Sequence, residues 1–245
     1  MDPADLADPA WTVTVDADAR LERVGEALCT LADGRFGTRG AREEDGAGSM
    51  PLTLAAGVYS DAGEVPTLLP GPVWTGLQAA PPDGHDRREL DLRGGVLRRT
   101  WRTRAGALRS LRFASLARPG VVGLRAEGPA DALGAGPALL APGDGTTFEE
   151  GRHGDVDWAR TRSAGGGGIT AAACQGTIDG DRSRLVERLA VYLADPDRAP
   201  APEAAVERLA AVEAVGFDGL LAEHRAAWAA RWADAEAAID GDPDT

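Results

Sequence analysis

Glu43, Glu44 and Asp45 stand in a row just after a Gly-rich stretch and form the densest acidic cluster beside a turn in the chain. Neighbouring carboxylates can raise one another's pKa, which general-acid chemistry requires. Adjacent residues of an extended segment, however, point to opposite faces. These three therefore make a poor opposed pair. The plainer reading is a surface cluster, solvated or paired with Arg39 and Arg42, and such pairs are worth little when exposed.

The other reactive side chains are few. His153 lies near Glu149 and Glu150 and could act with them as a base–acid set. His224 falls on an apolar helical stripe and reads as a packed residue, whereas His85 follows a Pro81-Pro82-Asp83-Gly84 turn and reads as exposed. Cys29 and Cys174 lack a partner motif; one long-range disulfide is possible, but two free buried thiols is the plainer reading. No His/Cys/Asp spacing suggests zinc. Asp240, Asp242 and Asp244 imitate the first ligands of a calcium loop, but the downstream Gly and Glu are missing. Gly165–Gly168 has no Lys-Ser/Thr after it, and neither a nucleophile elbow nor a dinucleotide fingerprint occurs. These patterns assign no catalytic, cofactor or metal residue.

The elements that would position these groups are mostly strands. Ala27–Leu31 reads as a strand, Asp33-Gly34 as a tight turn and Phe36–Arg39 as the return strand. Gly34, Gly37 and Gly40 recur every third residue, so the backbone there is either sharply turned or closely approached. Trp11–Val15 and Leu52–Tyr59 read as strands, Pro66 to Pro72 as an extended connector and Trp74–Leu77 as a brief strand. Arg88–Arg93, Val96–Thr103, Leu108–Leu116 and Val121–Glu127 form an antiparallel meander. Its apolar alternates include Leu90, Leu92, Leu97, Trp101, Leu111 and Phe113. Its polar alternates Arg98, Arg102, Arg109 and Arg112 read as a solvated face.

Weak strands follow near Thr146–Glu149 and Asp157–Thr161, then a pair at Ile169–Gln175 and Leu185–Leu193. The period changes after Pro200. Glu203–Val215 reads as a helix, and Asp218 as the cap of another carrying Phe217, Leu220, Leu221, His224, Trp228 and Trp232 on one stripe. That stripe is larger than a free helix should expose, so it must pack on something and leave part of itself uncovered.

The chain has 245 residues, 43% of them hydrophobic and 27% charged, which permits a sizeable core without staples. Its net charge of −13 argues against a nucleic acid or an anionic membrane as partner. All 26 basic residues are Arg, which a coding bias explains more simply than a demand for guanidinium. No signal-peptide pattern and no membrane-spanning apolar run are visible, so the expectation is a soluble cytoplasmic protein.

Several segments resemble glycoside hydrolase family 65, whose members include inverting phosphorylases and hydrolases of α-glucosides such as maltose, trehalose and kojibiose. Glu26 to Glu44 is similar to its Glu-Ser-…-Asn-Gly-x-x-Gly-x-Arg-Gly-x-x-Glu-Glu signature, with Ala27 where Ser is usual and Asp33 where Asn is usual. Gly57-Val58-Tyr59 with Trp74, Leu90–Arg98, Arg112–Leu116, His224…Trp228…Trp232 and Ile239–Asp242 resemble further blocks in the family order.

The resemblance implies a mainly β chain: an antiparallel β-supersandwich of galactose mutarotase-like type over residues 1–200, then α-helical linker residues 201–245. It also implies an (α/α)6 catalytic barrel, supplied in cis or by a neighbouring reading frame, that holds the general acid and the phosphate-binding residues. Inorganic phosphate would be a co-substrate of an intact phosphorylase, and a homodimer is a further implied partner. The expected role of this chain is thus non-catalytic. The alternatives are a carbohydrate-binding module, with Trp74, Trp101 or Trp158 stacking on a sugar, and a mutarotase-like epimerase using His153 with Glu149 or Glu150.

Overall fold

The computed structural model describes residues 8–44, 48–60, 64–143 and 146–235. Asp45 and the Asp240, Asp242 and Asp244 run, together with the Ile239–Asp242 block, lie outside them.

Three layers make up the fold. The largest is a nine-stranded, wholly antiparallel sheet of β1 (Thr12–Asp16), β7 (Asp86–Asp91), β8 (Val96–Thr103), β9 (Gly106–Ala114), β10 (Val121–Pro129), β15 (Ser183–Asp195), β14 (Gly168–Asp179), β13 (Val156–Arg162) and β12 (Thr147–His153), in that spatial order. A four-stranded sheet, β2 (Leu31–Ala32), β3 (Phe36–Thr38), β4 (Thr53–Ser60) and β5 (Thr67–Gly71), packs on one of its faces. The strands β6 (Gln78–Ala79) and β11 (Leu133–Gly134) pair separately. Helices α2 (Pro202–Glu213) and α3 (Gly216–Ala235) cover the opposite face of the large sheet. The short helix α1 (Glu22–Leu28) precedes β2.

The expected antiparallel meander is present with its Gly94-Gly95 turn, since alternating side chains over eight- and nine-residue strands set the register. Leu97, Trp101, Leu108 and Leu124 fill the space between the sheets with Leu31, Phe36, Val58 and Leu69 from the small sheet. Leu111 and Phe113 turn the other way, into the layer under the helices. One sheet thus buries both faces, which blurs the simple apolar-in, polar-out rule.

Three elements differ from the sequence expectation. Trp74–Leu77 is not a strand, because β6 begins only at Gln78, where it finds its partner β11. Ala27–Leu31 is not one strand, because Glu22–Leu28 is helical and only Leu31–Ala32 pairs with β3. The helical turn places Glu22 and Glu26 on one inward face, and both are buried, so tertiary ion pairing overrides local β preference. Pro66 to Pro72 is not merely a connector, because Thr67–Gly71 forms the edge strand β5. An edge tolerates Pro70, which has no N–H to give to a further neighbour.

Helix α3 starts at Gly216, so Asp218 sits in its first turn instead of capping it, and it pairs with Arg125 at 2.8 Å. The stripe packs on the sandwich. Phe217, Leu220, Leu221 and His224 are buried, and Trp228 and Trp232 are half-buried. Trp232 meets Trp11 edge-on at 4.8 Å, and Phe217 meets Phe113 at 5.4 Å.

Candidate functional site

The acidic row of the signature is not a surface cluster. Glu43 and Glu44 are 1% and 6% exposed, inside the sandwich. The reason lies across the meander. Arg88, Arg99 and Arg112 occupy inward positions on β7, β8 and β9, each 1% exposed. Arg88 and Arg99 are direct cross-strand partners, and Arg99 is opposite Ser110 on its other side. Like charges placed opposite one another destabilise a sheet unless anions stand between them.

The segment from α1 to Glu44 supplies those anions. Arg99 Nη1 donates to Glu43 at 2.7 Å and to Glu44 at 2.6 Å, while its Nε donates to Asp86 at 2.7 Å. Arg112 lies 3.3 Å from Glu43 and donates to the Ala41 carbonyl at 2.7 Å. Arg88 donates to Glu22 at 3.0 Å and to the Gly40 carbonyl at 2.8 Å. Arg39 and Arg42, expected beside the acidic row, pair instead with Glu26 at 3.4 Å and with Glu22 at 2.8 Å. Four carboxylates (Glu22, Glu43, Glu44, Asp86) therefore meet four guanidiniums (Arg42, Arg88, Arg99, Arg112) in a charge-balanced network, with the Glu26–Arg39 pair beside it.

The network decides what Glu43 can do. Burial pushes its carboxyl up, but Arg112, Arg99 and a hydrogen bond from Ser110 overcome that and hold it at about 2. A group so fully ionised donates no proton near neutral pH. Burial lowers the Arg112 guanidinium, and the neighbouring Arg99 adds to that against the pull of Glu43. Arg99, with three carboxylates around it, is raised well above its ordinary range despite burial. The adjoining cavity, lined by Arg42, Glu43, Glu44 and Leu140, is about 70 Å3. Small-molecule sites need ~300 Å3 or more, so a sugar does not fit.

The rest of the signature serves the same anchorage. Asp33 Oδ1 accepts the N–H groups of Arg35 and Phe36 at 2.8 and 2.7 Å, which closes the β2–β3 turn. Its Oδ2 accepts the Gly120 N–H at 2.6 Å, fastening that turn to the large sheet. At Gly40 a Cβ would lie 2.5 Å from the Cys29 carbonyl oxygen, so the close approach admits no side chain. Gly37 meets nothing nearer than 3.9 Å and has no such need.

Sequence reasoning missed Arg99 and Arg188 and placed Arg112 on a solvated face. The signal was in the alternation. Arg99 shares parity with Leu97 and Trp101, and Arg188 with Val186 and Ala190, all of them buried. Among the described residues Arg188 pairs with no carboxylate. It donates to the Trp74, Gly76 and Ala135 carbonyls and to Gln175 Oε1, each at 2.7 Å, and burial pushes it down to about 10.

The remaining candidates are dispersed. Trp74 and Trp101 are buried core residues, so neither face can meet a sugar. Trp158 is half-buried on β13. Glu149 is bound to Arg160 at 2.5 Å, and Glu150 points to the opposite face of β12 from His153. Four residues of strand also separate Glu149 from His153 by about 13 Å. The base–acid set is therefore not assembled. His85 is exposed near Thr100, and His224 is buried against Phe113, their rings 5.2 Å apart. Cys29 and Cys174 are free thiols, the first buried and the second half-buried. Among the described residues no helix is long and apolar enough to cross a membrane.

Comparison with known proteins agrees with this architecture. Residues 12–128 match the family described as glycosyl hydrolase family 65, N-terminal domain. Among solved structures the chain is similar to a human-microbiome protein assigned as a kojibiose phosphorylase. The TM-score is 0.74 and the identity 14%, over 91% of this chain and 35% of that one. The chain thus spans about a third of that protein's length, and at this identity the likeness concerns the fold. No curated protein matches the chain.

Proposed function

We propose, from the match of residues 12–128 to the glycosyl hydrolase family 65 N-terminal domain, that this chain is the non-catalytic β domain and helical linker of an inverting α-glucoside phosphorylase or hydrolase. Residues 1–200 are the domain and 201–245 the linker. The observation that carries this reading is the use of Glu43 and Glu44 as buried counter-ions to Arg99 and Arg112. Inverting cleavage needs a protonated carboxyl at the leaving oxygen, opposed to an activated water or to phosphate. An acid held at about 2 does not supply that proton. The chemistry belongs to an (α/α)6 barrel, in cis or from a neighbouring reading frame, in the cytoplasm, with the sandwich buttressing barrel and dimer.

The contact surface for that barrel is the solvent side of α1. Leu21, Val24 and Leu28 line it at helical spacing and are 57%, 53% and 55% exposed. The network fixes the other side of the same helix, so this face is presented rigidly.

The test is turnover of maltose, trehalose and kojibiose by the purified chain, with and without inorganic phosphate. No turnover is expected alone, and turnover together with the co-expressed barrel. Cleavage by this chain unaided overturns the proposal.

A further inference from the structure

Strand β14 outruns one of its neighbours. Its pairing with β15 continues without a break from Gly168 to Asp179, whereas its pairing with β13 stops at Ala173, opposite Asp157. Residues 174–179 therefore present a bare strand edge about 20 Å long. No other backbone meets it among the described residues. We propose that this edge docks an extended segment of a partner protein, β-branched along its length and basic at its C-terminal end, which adds a strand in line with β13.

The edge lacks the protection that sheets ordinarily give such strands. The rim strand β5 carries Pro70, and the rim strand β12 carries Glu149, Glu150 and Arg152. Residues 174–179 contain no Pro, and their register has no bulge. Their one charged side chain, Asp179, is bound to Arg184 at 2.6 Å. The backbone groups left over on this side are hydrogen-bonding sites that an incoming strand satisfies. Residues 175–179 are exposed, Ile178 at 64%. Gly176 lies on the same face two residues away, with open space where a Cβ would stand. A branched side chain opposite Gly176 fills that space and packs beside Ile178.

Charge selects the partner. The end of the edge next to β13 meets the β12–β13 turn, which carries the exposed Asp155. Glu213, the last residue of α2, stands beside Cys174 at the same end. Arg152 takes up Asp157 there at 3.4 Å, which leaves Asp155 and Glu213 without an ion pair among the described residues. The other end is balanced, with Asp179 and Asp181 beside Arg182 and Arg184. An added strand that keeps the sheet wholly antiparallel runs in the direction of β13 and so finishes at the acidic end. Basic residues at its C-terminus are attracted there and acidic ones repelled. A second copy of the chain is a poor occupant, because its matching end is the balanced one and each copy carries a net charge of −13.

The experiment is calorimetric titration and hydrogen-exchange mass spectrometry of the full chain with the capped peptide Thr-Val-Thr-Val-Arg-Arg. Thr-Val-Thr-Val-Glu-Glu and a version of the basic peptide N-methylated at its four central residues are run in parallel. The basic peptide is expected to slow exchange over residues 174–179 and to bind at least about tenfold tighter than either control, with the advantage over the acidic one shrinking as salt is added. Ile178→Lys, and the pair Asp155→Asn with Glu213→Gln, should each weaken its binding about tenfold, about 1.4 kcal/mol. All three side chains are exposed, so an unchanged thermal midpoint certifies the fold. No binding of the basic peptide, equal binding of the acidic or the N-methylated one, or protection confined to other strands overturns the proposal. So does sedimentation showing that the chain dimerises alone with residues 174–179 protected, which gives the edge to a second copy.

Discussion

Arg88 and Arg99 face each other across β7 and β8, both on the inner side of the large sheet and both 1% exposed. Two guanidiniums in that register are tolerable only because Glu22 neutralises one and Glu43, Glu44 and Asp86 the other. Removing an anion from a buried pair leaves an uncompensated charge, which costs more than the pair itself contributes. Glu43→Gln should therefore destabilise the chain by about 3 kcal/mol, read as a lower denaturant midpoint at unchanged slope. A midpoint equal to wild type would show that Glu43 is not the counter-ion of Arg99 and Arg112.

The same carboxylate sets an acid limit. Its folded pKa of about 2 lies below the ordinary 4.5, so its contribution is complete above 4.5 and is lost as pH falls from there towards 2. The gap between the two values is worth about 3 kcal/mol. Stability against pH should drop steeply in that window for wild type and less steeply for Glu43→Gln. Parallel curves would remove Glu43 as the origin of the slope.

The glycines of the signature are not equivalent. Gly40→Ala drives a Cβ to within 2.5 Å of the Cys29 carbonyl oxygen, which is backbone and cannot swing aside. The loop carrying Glu43 and Glu44 must then shift off Arg99, with an expected cost of about 2–4 kcal/mol. Gly37→Ala meets nothing nearer than 3.9 Å and should change stability by less than about 1 kcal/mol. Equal losses at both positions would mean that the approach to Cys29 is not the constraint.

These positions also mark what the sequence made legible. The meander, the β14–β15 pair and the closing helices follow from period and turn residues, which are local. The family blocks give the sandwich. The ion network is not local, because Glu22 and Arg88 are 66 positions apart and Glu43 and Arg112 are 69. A charged residue ordinarily argues for solvent, so Arg112 reads as exposed until its partner is known. Parity with Leu97 and Trp101 was the only sign that Arg99 points inward, and α1 was hidden because Glu22 and Glu26 look like surface residues.

The last prediction concerns how α3 is held to the sandwich. The Leu116 N–H donates to His224 Nδ1 at 3.1 Å, so that nitrogen must carry a lone pair, and Nε2 then donates to the Gly95 carbonyl at 3.1 Å. Only the neutral imidazole satisfies both, because a proton on Nδ1 would face an N–H. Burial lowers the His224 pKa, the Gly95 and Gly94 backbone bonds oppose this, and Arg225 adds to the lowering. A folded value beneath the ordinary 6.5 means that the unfolded chain binds more protons, so stability is full above 6.5 and declines as pH falls below it. That decline begins at 6.5, before the Glu43 transition sets in at 4.5. His224→Gln keeps one acceptor and one donor but does not titrate, so it should flatten the decline between 6.5 and 4.5 while preserving stability at neutral pH. The Trp228 ring lies 6.4 Å from His224 and abuts Gly95, so tryptophan fluorescence should report any loosening of α3 in the same range. If wild type and His224→Gln lose stability in parallel on acidification, the neutral-imidazole clamp is not what fastens α3.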